Sequence, residues 1–230
     1  MKRLVLLGEG HGEVPALPVL VRKLLKGKGA SDEFYADKEV IRTNPFGLVK
    51  WDQTLKRPDY TKWIQRIELA ARKPALAGVL AVYDGDAPKF PAGSSTAFCA
   101  SRAAKEMAEA AKQAGAGAKF SLCVVFACKE YETWLVAAAE CFAGKRYADQ
   151  RPILSANVKL PAGDFEARGK RWLEENCANY RPTRDQSPLT ELLDLEVLRA
   201  KRVRSFQRFD HAIEQILAAA ESGRHVATPC

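Results

Sequence analysis

Three pairs of acidic residues each come directly after an apolar run in the sequence. The pairs are Glu9 and Glu13, Asp84 and Asp86, and Glu130 and Glu132. Carboxylates that are brought close together raise each other's pKa and cannot all stay ionised without a countercharge. A hard divalent cation supplies that charge, because Mg²⁺ takes oxygen ligands and keeps positions for water and substrate phosphate. If the fold brings the pairs together, the sequence predicts a Mg²⁺ (or Mn²⁺) site.

The spacing of Asp84 and Asp86 suits a shared ion. Residues i and i+2 at the end of an extended strand point the same way, and Gly85 between them allows a tight turn. Glu9 lies between Gly8 and Gly10, so its carboxylate can approach a ligand closely. The alternative is that Asp-Gly-Asp is an ordinary turn signal with no metal.

Other kinds of site fit the first glycine-rich turn less well. The pattern G-x-G-x-x-G for dinucleotides fails, because Glu13 stands where the third glycine belongs, and no G-x-x-x-x-G-K-[ST] loop for nucleoside triphosphates occurs. No organic cofactor is therefore predicted. His11 is interpreted as a group that supports the acids or faces the substrate, or alternatively as a surface residue of the loop.

The elements that position these acids can be read from the apolar pattern. Strands are predicted near 3–8, 38–43, 78–83 and 120–126. Helices are predicted over 14–29, over 59–73 with Asp59 as its N-cap, from a cap at Ser94, Ser95 or Thr96 to about Ala114, and directly after Ala127. This alternation predicts an α/β fold with a mainly parallel sheet flanked by helices. The carboxyl ends of such strands meet at one edge, where ligands usually bind.

The last third of the chain differs in pattern. It has a turn-rich piece, a helix near 165–176 and two or three helices between Pro188 and Ala220. We therefore expect an α/β core over 1–145 and a helical C-terminal extension over 146–230 that packs on it. The basic stretch 201–208 is expected to open the last helix.

Composition and charge limit the possible partners. The 230 residues carry a net charge of +8, and the first 160 hold 25 basic against 17 acidic residues while the rest is balanced. This surplus suits nucleic acid, or merely keeps the protein soluble. No apolar run approaches the length of a membrane span, so no membrane association is expected. The six cysteines form no CxxC pair, which favours reduced thiols, no zinc site and a cytoplasmic location.

Three motifs carry a resemblance to a known family. They are LGEGHGE (7–13), YDGDAP (83–88) and KEYETWLVA (129–137). With the tail from Tyr180 to Phe209, they make the chain resemble Toprim-like domains (the topoisomerase–primase fold), and within them a bacterial family of domains of unknown function related to Toprim nucleases. The chain differs from the usual pattern at Gly8 and Gly12. It also lacks the longer D-x-D-x-x-G continuation of topoisomerases.

The resemblance implies roles for the acids. Glu9 becomes the general acid/base or metal-handling glutamate, Asp84 and Asp86 the metal-binding pair, and Glu132 a further ligand. Glu13, Glu130 and His11 are possible supporting residues.

The implied activity is Mg²⁺-dependent, nuclease-like phosphodiester cleavage on nucleic acid. No separate domain offers a topoisomerase tyrosine, which argues against strand passage. The alternative is a non-catalytic interaction module partnered with a separately encoded ATPase, as in defence against phage. DNA, RNA or nucleotide as substrate, and the oligomeric state, stay open.

Overall fold

A computed structural model describes residues 1–159, 161 and 168–229. The strands are β1 (Lys2–Gly8), β2 (Phe34–Ala36), β3 (Ile41–Arg42), β4 (Lys50–Asp52), β5 (Arg57–Asp59), β6 (Leu76–Asp84), β7 (Ser121–Ala127) and β8 (Ala227–Pro229). The helices are α1 (Glu13–Gly27), α2 (Pro45–Leu48), α3 (Thr61–Ala71), α4 (Ala100–Ala111), α5 (Glu132–Ala137), α6 (Gly169–Asn176), α7 (Pro182–Leu192), α8 (Leu195–Ala200) and α9 (Arg204–Ser222). Two short 3-10 segments follow α4 and α5.

A six-stranded sheet forms the centre of the molecule. Its order is β2-β1-β6-β7-β8, and β3 pairs with the carboxyl end of β1. The pairs of β1 with β6 and of β6 with β7 are parallel. The predicted α/β fold with a mainly parallel sheet flanked by helices is therefore confirmed, and β1, β6 and β7 are neighbours in it. The hairpin of β4 and β5 is separate and antiparallel.

The two faces of the sheet bury two hydrophobic cores. Leu4 and Leu6 of β1 lie in one core with α1, α5, α7 and α9, whereas Val5 and Leu7 lie in the other with α3 and α4. Successive side chains of a strand point to opposite faces, so continuous apolar strands are the expected result when both faces are covered.

Several boundaries differ from the sequence predictions. The strand predicted over 38–43 is reduced to the two residues of β3. A further short strand, β2, was not predicted and precedes that range, and both β2 and β3 pair with β1. Asp59 ends β5 and caps by accepting the N–H of Thr61 at 2.9 Å, while Tyr60 takes the N-cap position of α3. Residues 165–167 of one predicted helix lie outside the described residues, and α6 begins at Gly169.

The helix predicted to begin at Ser94–Thr96 begins later. Residues 94–99 are irregular, and α4 starts at Ala100 with Cys99 as N-cap. The physical reason is the packing of Phe98, whose ring contacts Phe46 and Phe126 at centroid distances of 5.8 and 5.3 Å. These ring contacts hold residues 94–99 against the sheet in an irregular conformation, so the helix begins only at Ala100.

The C-terminal part of the chain packs directly on the sheet. Helix α9 lies against β6 and β7, and β8 pairs with β7 as an edge strand. As predicted, the basic stretch 201–208 leads into this last helix, which begins at Arg204. The division into a 1–145 core and a 146–230 extension stays a prediction. Within the described residues no disulfide is present, and none of the helices has the length and apolar character needed to cross a membrane.

The packing of α9 on the sheet predicts a sharp effect of a methyl group at Gly78. A Cβ there would lie 2.7 Å from Cγ2 of Ile216 and 3.1 Å from the backbone O of Ser121. We expect Gly78→Ala to lower the free energy of unfolding by about 1–3 kcal/mol, the usual cost of overpacking. Urea denaturation measures this.

Gly27→Ala is the matched control. Gly27 ends α1, and a methyl group added there would have no atom within 4 Å, so alanine should be neutral or stabilising by about 0.5–1 kcal/mol. Equal stabilities of the two variants would contradict the described contact between α9 and β6.

Candidate functional site

The ends of three parallel strands carry the predicted acids to one edge of the sheet. Glu9 directly follows β1, and Asp84 is the last residue of β6, with Asp86 two residues beyond it. Asp84 pairs in register with Ala127 at the end of β7, and α5 begins soon afterwards at Glu132. The order β1-β6-β7 therefore places the three motifs side by side.

Two hydrogen bonds, each donated by a backbone N–H, connect the second motif (83–88) to the third (129–137). The N–H of Gly85 donates to the O of Lys129 at 2.9 Å, and the N–H of Tyr131 donates to Oδ1 of Asp84 at 2.9 Å. Lys129 adopts a positive φ of 60°, which turns the chain back toward β6. A Cβ on Gly85 would lie 2.6 Å from the O of Ala127, so only glycine allows this approach. The glycine thus serves close packing between two turns as well as the turn itself.

The first motif forms a compact turn closed by Glu13. The N–H of Gly10 donates to Oε2 of Glu13 at 2.7 Å, and Glu13 is the first residue of α1. On its other side the turn meets α7, because a Cβ on Gly12 would lie 2.3 Å from Oε1 of Gln186. Gly12 is therefore needed for contact with the C-terminal helices.

The carboxylates act on each other electrostatically. Burial is the main cause that raises the pKa of Asp84 well above its usual value, and the charges of Glu13, Glu132, Glu9 and Asp86 raise it further. Burial, then Glu13 and Asp86, raise the pKa of Glu9 to about 7, although the backbone N–H of Asp84 opposes this. Five of the predicted acids therefore form one cluster, called here the acid cluster: Glu9, Glu13, Asp84, Asp86 and Glu132.

The remaining predicted residues lie at the border of the acid cluster. Glu130 accepts the backbone N–H of Lys170 at 2.9 Å, so it faces the start of α6, and its charge contributes to raising the pKa of Glu132. His11 is exposed, and its Nδ1 lies 3.5 Å from Nη1 of Arg42.

Sequence reasoning missed the residues that hold Glu132. Its side chain is almost fully buried, and its Oε1 accepts the hydroxyl of Tyr180 at 3.1 Å. The Gln186 side chain also hydrogen bonds Glu132. Tyr180 and Gln186 lie far along the chain, and the only sequence signal for them was that both fall in the segment from Tyr180 to Phe209, which contributed to the resemblance described under Sequence analysis.

The tail also encloses the helix that carries Glu132. Trp134 of α5 is fully buried, and its ring packs on Phe206 and Phe209. Its Nε1 donates to Oγ of Ser205 at 2.9 Å, and the Tyr131 hydroxyl lies 2.8 Å from Oγ1 of Thr190. These contacts exclude water from one side of the acid cluster.

The donor set suits a divalent cation. Oε2 of Glu9 is buried and has no hydrogen-bond partner, which leaves an acceptor available for a cation. Carboxylate oxygens are the ligands that Mg²⁺ and Mn²⁺ prefer. However, in the described ranges no three His, Cys, Asp or Glu side chains already stand in position to hold a metal ion. A cation would therefore bind only after some of these side chains turn toward it.

One comparison with known proteins places the chain in a family. The model of the family described as "Domain of unknown function (DUF4276)" matches residues 8–214. The chain belongs to this family. The matched range of the DUF4276 family includes every member of the acid cluster together with Tyr180 and Gln186. No curated protein and no solved structure matches the chain.

The raised pKa of Glu9 predicts how stability depends on pH without metal. Between the ordinary value near 4.5 and the folded value of about 7, the folded chain binds more protons than the unfolded chain, so stability falls as pH rises through this range. In EDTA, the Tm should therefore rise as pH is lowered from about 8 to about 5.5, by roughly 2–4 °C per kcal/mol of stability gained as the buried Glu9 takes up its proton. Calorimetry at several pH values measures the slope.

Glu9→Gln should reduce that slope, because the amide stays neutral at every pH. Glu68→Gln, at an exposed position on α3, is the matched control and should leave it unchanged. A slope that is the same in the wild type and Glu9→Gln would show that Glu9 is an ordinary surface acid.

Proposed function

We propose that the chain is a Toprim-like, Mg²⁺-dependent enzyme that cleaves phosphodiester bonds of nucleic acid. The observation that carries this proposal is the acid cluster, in which five carboxylates from three strand ends meet and one buried oxygen of Glu9 has no partner. The three motifs that resemble Toprim nucleases are the same segments that supply these acids. The basic surplus of the chain supports a polyanionic substrate.

The residues divide into roles according to their surroundings. Glu9, Asp84, Asp86 and Glu132 would hold the cation. When bound, Mg²⁺ or Mn²⁺ would offset charge on the phosphoryl group and lower the pKa of a water molecule. Without a bound cation the pKa of Glu9 is about 7, which suits its carboxylate to accept or donate a proton near neutral pH, whereas direct coordination of the cation would lower that pKa.

A second candidate is a non-catalytic Toprim-fold module that works with a separately encoded ATPase in a defence-type system. One observation favours it, namely that acids of the cluster already have partners within the chain, among them Asp84, which accepts the N–H of Tyr131. Glu13 accepts the N–H of Gly10, and Glu132 accepts the hydroxyl of Tyr180. An acid cluster that is used only to hold turns and helices together would look the same. A cytoplasmic location fits either candidate.

Cleavage assays separate the two candidates. The purified protein should nick plasmid or cut single strands in Mg²⁺ or Mn²⁺ and not in EDTA. Glu9→Gln and Asp84→Asn should each lower the rate by at least about 10²–10⁴-fold, because the amide cannot accept a proton or bind the ion as a carboxylate does. The double variant should lose little more, since residues that serve one step act as a unit.

Glu68→Gln is again the control and should cleave like the wild type. Cleavage that survives Asp84→Asn would come from another site or from a contaminant. If no cleavage occurs alone or with a co-encoded ATPase, while nucleic acid still binds in a salt-sensitive way, the second candidate is correct.

Metal binding can be measured without activity. A cation that binds the folded acid cluster and not the unfolded chain should raise the Tm, by about 5–10 °C at a concentration near 100 times its Kd. Asp84→Asn should diminish this shift and should also raise the Tm in EDTA, because it removes a charge from the acid cluster. A wild-type Tm that does not respond to millimolar Mg²⁺ or Mn²⁺ would contradict the metal site.

A further inference from the structure

Arg42 lies beside the acid cluster but belongs to none of the three motifs. It is the last residue of β3 and pairs in register with Gly8 of β1, so it stands next to Glu9 at the same edge of the sheet. Its side chain is exposed. The short strand β3 thus brings a cation to the edge that carries five acids.

The guanidinium of Arg42 has no carboxylate partner in the described part of the chain. Its Nε donates to the backbone O of Glu9 at 3.2 Å, and its Nη1 lies 3.5 Å from Nδ1 of His11. Arg151 and Arg199, by contrast, are ion-paired with Asp185 and Asp210. Because a guanidinium has five N–H donors, Arg42 keeps donors available for an anion.

A cleft is lined by both Arg42 and Glu9, the member of the acid cluster that follows β1. It has a volume of about 530 Å³ and is lined by Glu9, Gly10, Arg42, Thr43 and Asn44. This volume lies within the range of small-ligand sites, about 300–1,000 Å³. The wall is held in place because the Thr43 hydroxyl lies 2.9 Å from the Tyr83 hydroxyl and Asn44 accepts the N–H of Gly47 at 3.1 Å.

The charges in this cleft are of the kind that a phosphodiester requires. Carboxylates alone repel a phosphate, so a substrate that approaches Glu9 needs a cation on its other side. The planar fork of an arginine matches two oxygens of a phosphate group, which a lysine cannot do. His11 does not line the cleft but lies beside Arg42, and when its Nδ1 accepts from Nη1 of Arg42 its Nε2–H remains as a donor.

We propose that Arg42, with His11 beside it, binds a phosphate group of the nucleic-acid substrate in the cleft next to Glu9. This inference rests on the proposed function, because it assigns the substrate contact of the same site. It makes Arg42 the residue that sets where along the strand the phosphodiester meets the acid cluster.

Binding of a fluorescent single-stranded oligonucleotide, measured by anisotropy in EDTA and again in Ca²⁺, tests the inference without cleavage. Arg42→Ala should weaken binding about 5–10-fold and lower the slope of log K against log salt by about 0.7, the contribution of one phosphate contact on a single strand. Arg42→Lys should restore the salt slope but only part of the affinity, because it keeps the charge and loses the fork. His11→Ala should weaken binding less than Arg42→Ala.

Arg66→Ala is the matched control, since Arg66 is an exposed arginine on α3 that does not line the cleft. It should change affinity less than 2-fold. Equal effects of Arg42→Ala and Arg66→Ala would overturn the inference, as would a wild type that binds no oligonucleotide in either buffer.

Parallel assays separate the inference from the proposed function. Binding that depends on Arg42 in a protein that never cleaves would support the phosphate contact and reject the nuclease. Cleavage that is unaffected by Arg42→Ala would support the nuclease and reject the phosphate contact. A nucleoside monophosphate that binds through Arg42, while the oligonucleotide does not, would overturn the nucleic-acid substrate.

Discussion

Repulsion among five carboxylates is the constraint on which the acid-bearing edge of this fold depends. The parallel register of β1, β6 and β7 forces their acidic ends together, and burial raises the pKa of Asp84 and Glu9. The chain offsets part of this cost with its own donors, the N–H of Tyr131 on Asp84 and the N–H of Gly10 on Glu13. The cation proposed above would offset the remaining repulsion, because a divalent charge favours the ionised form of nearby carboxylates.

The C-terminal helices contact the acid cluster directly, through Glu132 and the helix that carries it. Tyr180 and Gln186 hydrogen bond the buried Glu132, and Ser205, Phe206 and Phe209 surround Trp134 on the same helix. Without them, α5 would be exposed to water and the repulsion around Glu132 would be screened. The family match over residues 8–214 includes this region as well as the strands, as expected if both halves are needed to form the site.

The sequence predicted the parts of the fold that local pattern determines. The apolar runs of β1, β6 and β7 and the acids after them could be recognised, since a strand buried on both faces has a continuous apolar sequence. β8 could not, because Ala227–Pro229 is a three-residue edge strand that contains proline. The contact of Tyr180 with Glu132 could not be derived either, because it spans 48 positions and depends on how α7 packs. Long-range packing, rather than propensity, decided these features.

The acid cluster is asymmetric, and this asymmetry indicates where a ligand would enter. Glu13, Asp84 and Glu132 each accept a donor from the chain, so their orientations are fixed by the protein. Glu9 retains an oxygen without a partner, and Asp86, whose charge raises the pKa of Glu9, is exposed. A cation at this end would satisfy the unpaired acceptor of Glu9 and offset its repulsion with Glu13 and Asp86. Arg42 lines the same cleft as Glu9, so in the proposed function the cation and the substrate phosphate would both lie at this end.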